Sequence, residues 1–150
     1  MTGFTLKKAL VFALLLLLFV ASNAVAETRV MVATDLHYIS PSLYEAGERR
    51  LQASALYGDG KMPHRSDAWL RGLVMEAIAQ APDALILMGD QSYNGEVLSH
   101  RDLSDALAEI QAAGILVLVI SGKNDINNDN VLAYQSEGDV SADSVAVHRY

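Results

Sequence analysis

Residues 84–90 have the sequence ALILMGD, an apolar run that ends at a glycine and an aspartate. Such a run, bounded by turn-forming residues, predicts a short strand buried in a sheet. Two further runs have the same character: RVMVAT at 29–34, followed by Asp35, and ILVLVI at 115–120, followed by a Ser-Gly pair. We therefore predict three strands that each end in a polar turn.

One segment between the first and second predicted strands, and another between the second and third, have the spacing of amphipathic helices. Apolar residues recur every three or four positions over about 66–81 and about 99–113, and Pro82 and Gly114 end these patterns. The predicted N-terminal caps are Ser66 or Asp67 for the first helix and Ser99 for the second.

The remaining parts of this region carry weaker signals. Residues 38–65 contain several Gly and Pro residues, which predicts a long irregular segment that carries function or covers a site. Trp69 and Met75 lie at helical spacing from apolar neighbours and are predicted in the core. His64, among turn-forming residues, is predicted to be exposed.

Strands that alternate with helices indicate an α/β fold, a β-α-β-α-β unit with a parallel sheet covered on both faces. Right-handed crossovers place the carboxyl ends of all three strands at one edge, where open α/β sheets bind ligands. We therefore expect Asp35, Asp90 and Asp125 to lie near one another although they are far apart in sequence.

Composition excludes several classes of function. The 150 residues are 51% hydrophobic, carry a formal net charge of −7 and contain no cysteine. A disulfide scaffold, a cysteine zinc site and a cysteine nucleophile are therefore excluded. The acidic balance argues against a nucleic-acid partner, because phosphate contacts need clustered Lys and Arg.

The N-terminus has the pattern of a secretory signal peptide over residues 1–26. Lys7 and Lys8 precede an apolar run at 9–21, and Ala24-Val25-Ala26 forms a cleavage site before Glu27. The alternative is a membrane anchor, but the run is shorter than the ~20 residues that span a bilayer. We therefore predict a secreted, periplasmic or cell-envelope protein with no stable membrane anchor after cleavage.

The polar turns predict a metal site. Asp35 and His37 are two positions apart, so in an extended segment their side chains point to the same side. Oxygen and nitrogen donors together suit Mn, Fe or Zn. Asp90 follows Gly89, a residue that permits close approach of the backbone, and its carboxylate has two oxygens with which to bridge two ions. The third turn is GKNDINN at residues 122–128.

The order D-x-H, G-D and G-x-x-D-x-N-N over about residues 28–130 resembles the calcineurin-like metallophosphoesterases, in particular a secreted bacterial branch. That family's signature is D-x-H, then G-D, then G-N-H-[DE]. The resemblance implies that residues 27–150 form the N-terminal half of an αββα sandwich, apparently truncated at its C-terminus. It also implies two divalent metals that promote in-line attack on a small phosphomonoester or phosphodiester, with Asp35 and His37 holding the first and Asp90 bridging both.

The third motif departs from the family pattern. Lys123 stands where the family has a metal-binding Asn, and Asn124 stands where it has the His that protonates the leaving group. A register slip of one residue would instead make Asn124 a metal ligand and Asp125 its partner. By resemblance, Asn94 and His100 support the site, although a turn and a helix terminus explain them equally well. These departures predict an impaired hydrolase.

Two other functions compete with that interpretation. One is a catalytically inactive remnant or weak metal-binding module. The other is a doubly wound module of the response-regulator kind, in which clustered Asp residues bind Mg²⁺.

The metallophosphoesterase family also completes its metal shell with histidines that follow glycines, whereas His148 has no preceding Gly and is predicted at the surface. Half of a two-sheet domain would leave one apolar sheet face without a partner, which predicts association.

Overall fold

The computed structural model describes residues 8–13, 27–57 and 61–145, apart from the side chain of residue 54. The strands are β1 (Val30–Thr34), β2 (Ala84–Gly89), β3 (Leu116–Ser121), β4 (Leu132–Tyr134) and β5 (Asp139–Ser141). The main helices are α1 (Glu48–Tyr57), α2 (Ser66–Gln80) and α3 (Val97–Ala112). Three 3-10 turns lie at Pro41–Leu43, Glu45–Gly47 and Pro63–Arg65.

The predicted leader falls largely outside the described residues. Residues 8–13 form a short helix in which Leu10, Val11 and Phe12 are exposed, and the predicted cleavage site at 24–26 is not described. Within the described ranges, no helix is both long enough and apolar enough to cross a bilayer.

The three predicted strands form one parallel sheet in the order β1-β2-β3. The register pairs Val32 with Ile86 and Ile86 with Leu118, so the strands are aligned along their whole length. The expected mixed α/β fold with a parallel sheet is therefore confirmed. Beyond α3 and β3, strands β4 and β5 form a separate antiparallel hairpin.

Helices α2 and α3 pack against the same face of the sheet. Leu85 and Leu87 of β2 are fully buried there, and Leu70 of α2 and Leu103 of α3 lie in the same cluster. Each strand is added on the same side of its predecessor, so two right-handed crossovers place both helices on one face. The carboxyl ends of all three strands consequently meet at one edge, as predicted.

The prediction that both faces are covered is wrong for the described residues. Alternate positions of the three strands point away from the helices, and most of their side chains are exposed. In register they form three rows, which we call the apolar grid: Val30-Ala84-Leu116, Val32-Ile86-Leu118 and Thr34-Met88-Ile120. Among the described residues, this face of the sheet therefore has no covering layer.

The prediction that Trp69 and Met75 belong to the core is also wrong. They are 50% and 72% exposed, respectively. Helix α2 buries a stripe formed by Leu70, Val74 and Ala77, and residues 69 and 75 lie one position outside that stripe. Apolar side chains of α2 are therefore buried only on the side of the helix that faces the sheet.

Residues 38–65 are more regular than predicted, because they contain α1 and the three 3-10 turns. Leu51 of α1 is fully buried in a second cluster with Ile39 and Tyr134. The 3-10 turn before α1 also lies close to β4. A Cβ atom at Gly47 would lie 2.5 Å from the Tyr134 carbonyl carbon, so a glycine is needed at this position. Helix α1 thus joins this segment to the β4–β5 hairpin.

Ser66 and Ser99 do not cap helices as predicted. Helix α3 begins at Val97 with Glu96 in the capping position, and neither α2 nor α3 has a side-chain cap. The Ser66 hydroxyl oxygen instead accepts a hydrogen bond from Ile39 N at 3.1 Å, and the Ser99 hydroxyl oxygen accepts one from Ser40 N at 3.1 Å. Both serines are buried, and they hold the segment that follows β1 against the two helices.

Candidate metal centre

The chain segments that follow β1 and β2 stay paired beyond the ends of these strands. Asp35 N donates to Met88 O at 3.0 Å, His37 N donates to Asp90 O at 3.1 Å, and Tyr38 N donates to Gln91 O at 2.9 Å. The backbone of residues 35–38 therefore lies beside that of residues 88–91. This pairing brings the first two sequence motifs together at the carboxyl edge of the sheet.

Asp35, His37 and Asp90 form a compact group of potential metal ligands. Each offers one ligand atom, and these atoms all lie within 4.8 Å of one another. Asp35 is exposed and the other two are half-buried, so the group opens to solvent. Two carboxylates and one imidazole are a donor set that suits Mn, Fe or Zn, and three protein ligands leave a position open for another molecule.

The D-x-H pair converges, but through a different backbone geometry from the one predicted. Asp35 and His37 do not lie in an extended segment, since their φ angles are 52° and 43°. Asp and His are among the residue types that adopt this left-handed region most readily outside glycine. Such conformations persist where the surrounding structure enforces them, here through the backbone pairing with residues 88–91.

Two glycines make room for the carboxylates. At Gly89, where φ is 81°, a Cβ atom would lie 2.5 Å from Asp35 Oδ1. At Gly122, a Cβ atom would lie 2.1 Å from Asp90 Oδ1. The absence of a side chain at Gly89 therefore leaves room for the Asp35 carboxylate, and its absence at Gly122 leaves room for the Asp90 carboxylate.

Asn124 contacts Asp90 directly. Its backbone N–H donates to Asp90 Oδ1 at 3.0 Å, and its side-chain Nδ2 donates to Asp90 Oδ2 at 2.8 Å. The Asn124 side chain therefore acts here as a hydrogen-bond donor to a candidate ligand. Lys123, the preceding residue, is exposed.

Asp125 lies next to the ligand group but is enclosed by donors. Its side chain is fully buried, and Oδ1 accepts hydrogen bonds from Ser92 N at 2.7 Å and Ser92 Oγ at 2.8 Å. Its Oδ2 accepts from Gly122 N at 2.7 Å and Gln91 N at 3.1 Å. Asp125 thus ties the turn after β3 to the turn after β2, and its four donors leave it a structural role.

The other histidines and the supporting Asn occupy different environments. His100 Nε2 lies 2.9 Å from the Asp125 carbonyl oxygen, so His100 contacts the third turn from α3. Asn94 is half-buried in the turn after β2. His64 is half-buried, not exposed as predicted, and lies outside the ligand group in a 3-10 turn. His148 lies outside the described residues.

The arrangement disfavours the response-regulator interpretation. That interpretation would gain support from clustered aspartates with no His37 nearby. Instead, His37 lies within the ligand group and Asp125 is enclosed by its four donors. Asp35 and Asp90 remain the two accessible carboxylates of the three that follow the strands.

Sequence reasoning missed the buried polar residues that support the turns. Glu96 is 1% exposed, and burial raises the pKa of its carboxyl group, an effect that nearby backbone N–H groups and the Ser99 hydroxyl oppose in part. Val97 N donates to Asp143 O at 2.9 Å, and Asn127 N donates to Val145 O at 2.8 Å. The segment after β5 therefore links the start of α3 to the turn that carries Asn124. The sequence signal that could have identified Glu96 is its place directly before the helical pattern of α3.

A groove among the described residues lies away from the ligand group. It runs between α2 and α3, has a volume of about 510 Å³, and is lined in part by Tyr38, Leu70 and Asp102. The Tyr38 hydroxyl donates to Asp102 Oδ2 at 3.3 Å, and burial together with the Asp102 charge raises the pKa of Tyr38. The groove shares Tyr38 with the segment that follows His37 but contains none of the candidate ligands.

Comparison with known proteins finds no family model that matches this chain and no curated protein that matches it significantly.

Proposed function

We propose that this chain is a metal-dependent phosphoester hydrolase of the calcineurin-like kind with an impaired active site. The observation that carries the proposal is the convergence of Asp35, His37 and Asp90, whose ligand atoms lie within 4.8 Å of one another at the carboxyl edge of a parallel sheet. The order of the three motifs along the sequence supports the same interpretation. Because of the predicted signal peptide, we propose that the protein is located in the cell envelope or outside the cell.

Asp35, His37 and Asp90 would hold the first divalent cation, with Mn, Fe or Zn preferred by the mixed oxygen and nitrogen donors. A cation held there supplies positive charge that stabilises the negative charge developing on a phosphoryl oxygen. The family resemblance implies a second ion bridged by Asp90. The three ligands that come together among the described residues suffice for one ion, so we assign one ion to them.

Asn124 is the reason for expecting a slow reaction. It occupies the position of the family's proton donor to the leaving group, and a carboxamide does not transfer protons at neutral pH as an imidazole does. Its side chain donates to Asp90 at 2.8 Å, which places it beside the ligand group. Lys123 is exposed next to it and supplies a positive charge for a bound phosphate.

A metal-binding module without turnover is the second candidate. The hydrogen bond from Asn124 to Asp90 also favours this second candidate. At the position of the family's proton donor, this chain has a carboxamide that only orients Asp90. The two candidates share the metal site and differ in whether a phosphoester is hydrolysed.

The test combines metal binding with phosphatase assays on the full chain. We expect calorimetry to detect Mn²⁺ binding that Asp90→Ala weakens at least about tenfold, a loss of about 1.4 kcal/mol or more. We expect slow Mn²⁺-dependent hydrolysis of p-nitrophenyl phosphate or its bis ester, accelerated about 100-fold by Asn124→His, since a general acid contributes roughly that much. The matched control is Asp129→Asn, an exposed acidic residue in the same turn region.

The outcomes separate the two candidates. Mn²⁺ binding without hydrolysis in either the wild type or Asn124→His would establish the binding module. Fast hydrolysis by the wild type, abolished in Asp90→Ala, would show that the site is not impaired. Absence of Mn²⁺, Zn²⁺ and Fe²⁺ binding would refute both candidates.

A further inference from the structure

The apolar grid is an extended uncharged surface on a chain rich in acidic residues. It contains nine residues in three registered rows, eight of them apolar and one a threonine. Six of the eight apolar side chains are between 38% and 57% exposed. Since no charged residue interrupts the rows, the whole grid behaves as one apolar surface.

The area of the grid is large for a monomer. The six exposed side chains together present on the order of 500 Å² of apolar surface. This value lies near the upper end of the roughly 300–600 Å² found for the largest apolar patch of a typical monomer, and such patches mark interaction sites.

We propose that the apolar grid is the interface of a homodimer, in which a second copy of this chain lies face to face on the first. Two such grids would bury about 1,000 Å², the size at which a specific interface becomes tenable. Sheets pack face to face about 10 Å apart with their strands nearly aligned, and the side chains of the two facing surfaces interdigitate. The contact is isologous, with the two-fold axis between the sheets and close to Ile86, the centre of the grid.

Charge makes a specific prediction for this contact. The chain has a formal net charge of −7, so two copies repel each other at long range while the grid itself is neutral. Salt screens that repulsion and leaves the burial of apolar surface intact. We therefore expect the dimer to become tighter as ionic strength rises, whereas association through salt bridges would weaken.

The first test is sedimentation velocity on the full chain between about 1 and about 200 µM, because interfaces at the low end of the size range are typical of weak association. We expect a monomer–dimer equilibrium that Leu118→Lys shifts to at least about tenfold higher concentration, because each copy would bury an unpaired charge. The matched control is Met75→Lys, which places the same charge on a residue of α2 that is 72% exposed and outside the grid. A second comparison is Leu15→Lys, which alters the predicted leader, the other apolar segment able to associate.

A second measurement does not depend on the folding of a charged variant. The chain contains no cysteine, so single cysteines report proximity without background. We expect Ile86→Cys to cross-link efficiently between copies with a bismaleimide of about 10 Å reach, the distance between packed sheets. Met75→Cys should remain largely uncross-linked.

Three results would overturn this proposal. The first is a monomer throughout the concentration range. The second is a dimer that Leu15→Lys abolishes and Leu118→Lys leaves unchanged, which would assign association to the leader. The third is equal cross-linking at Ile86→Cys and Met75→Cys. None of these outcomes bears on metal binding, so the dimer and the proposed function fail independently.

Discussion

Replacing Asp125 with asparagine removes one carboxylate oxygen from a site where four donors converge. Oδ2 accepts from two backbone N–H groups, those of Gln91 and Gly122, which cannot become acceptors. Oδ1 accepts from the backbone N–H and from the hydroxyl group of Ser92. The introduced carboxamide would therefore keep its oxygen toward Gln91 and Gly122 and turn its NH₂ group toward Ser92.

That orientation leaves the backbone N–H of Ser92 without an acceptor in a fully buried position. An unsatisfied buried donor costs about 1–3 kcal/mol, and the loss of negative charge weakens the hydrogen bonds that remain. We expect Asp125→Asn to lower the free energy of unfolding by about 2–4 kcal/mol. Asp125→Ala, which orphans all four donors, should cost more.

Urea unfolding followed by far-ultraviolet circular dichroism measures this difference, and an unchanged m-value would show that the unfolded states are comparable. The matched control is Asp129→Asn, an exposed acidic residue four positions along, which should change stability by less than about 0.5 kcal/mol. If Asp125→Asn were as stable as this control, the four hydrogen bonds would not hold the two turns together, and the structural role assigned to Asp125 would be wrong.

Two further changes test the packing and the buried acid. Gly122→Ala would place a Cβ atom 2.1 Å from Asp90 Oδ1 and should weaken Mn²⁺ binding at least about tenfold by calorimetry. Gly72→Ala, in α2 with nothing within 4 Å of the added Cβ, should instead stabilise the fold by about 0.5–1 kcal/mol, and equal effects of the two glycine changes on metal affinity would refute the steric argument. Burial raises the pKa of Glu96 above its ordinary value of 4.5, so the wild type loses stability as pH rises through that raised pKa. Glu96→Gln lacks this loss, so melting temperatures should show its stability relative to the wild type growing above pH 4.5 and then levelling off; a constant difference across this pH range would contradict the assignment.

The sheet and the strand-end motifs were predictable because they depend on local pattern and on the handedness of crossovers. Three apolar runs separated by helical patterns were enough to predict that Asp35 and Asp90 meet at one edge, and the structure brings them together with His37. The backbone geometry of Asp35 and His37 was not predictable from spacing, since their left-handed conformations follow from pairing with residues 88–91.

Features that depend on which surface is covered were missed. Trp69 and Met75 have the spacing of core residues, but both helices lie on one face of the sheet and cover only one stripe of α2. The roles of Ser66 and Ser99 were missed for a related reason. A serine near a helix start is a favoured cap, but here the Ser66 and Ser99 hydroxyls accept hydrogen bonds from Ile39 N and Ser40 N instead.

The claim that Asp35, His37 and Asp90 together hold a divalent cation is tested most directly by pulsed electron paramagnetic resonance on the Mn²⁺-loaded full chain. Imidazole nitrogen bound to Mn²⁺ gives a modulation that carboxylates do not. We predict coupling to a single imidazole, lost in His37→Ala and retained in His64→Ala, a half-buried histidine outside the ligand group. Coupling that survives in His37→Ala, or the absence of any imidazole coupling in the wild type, would contradict the assignment of this site.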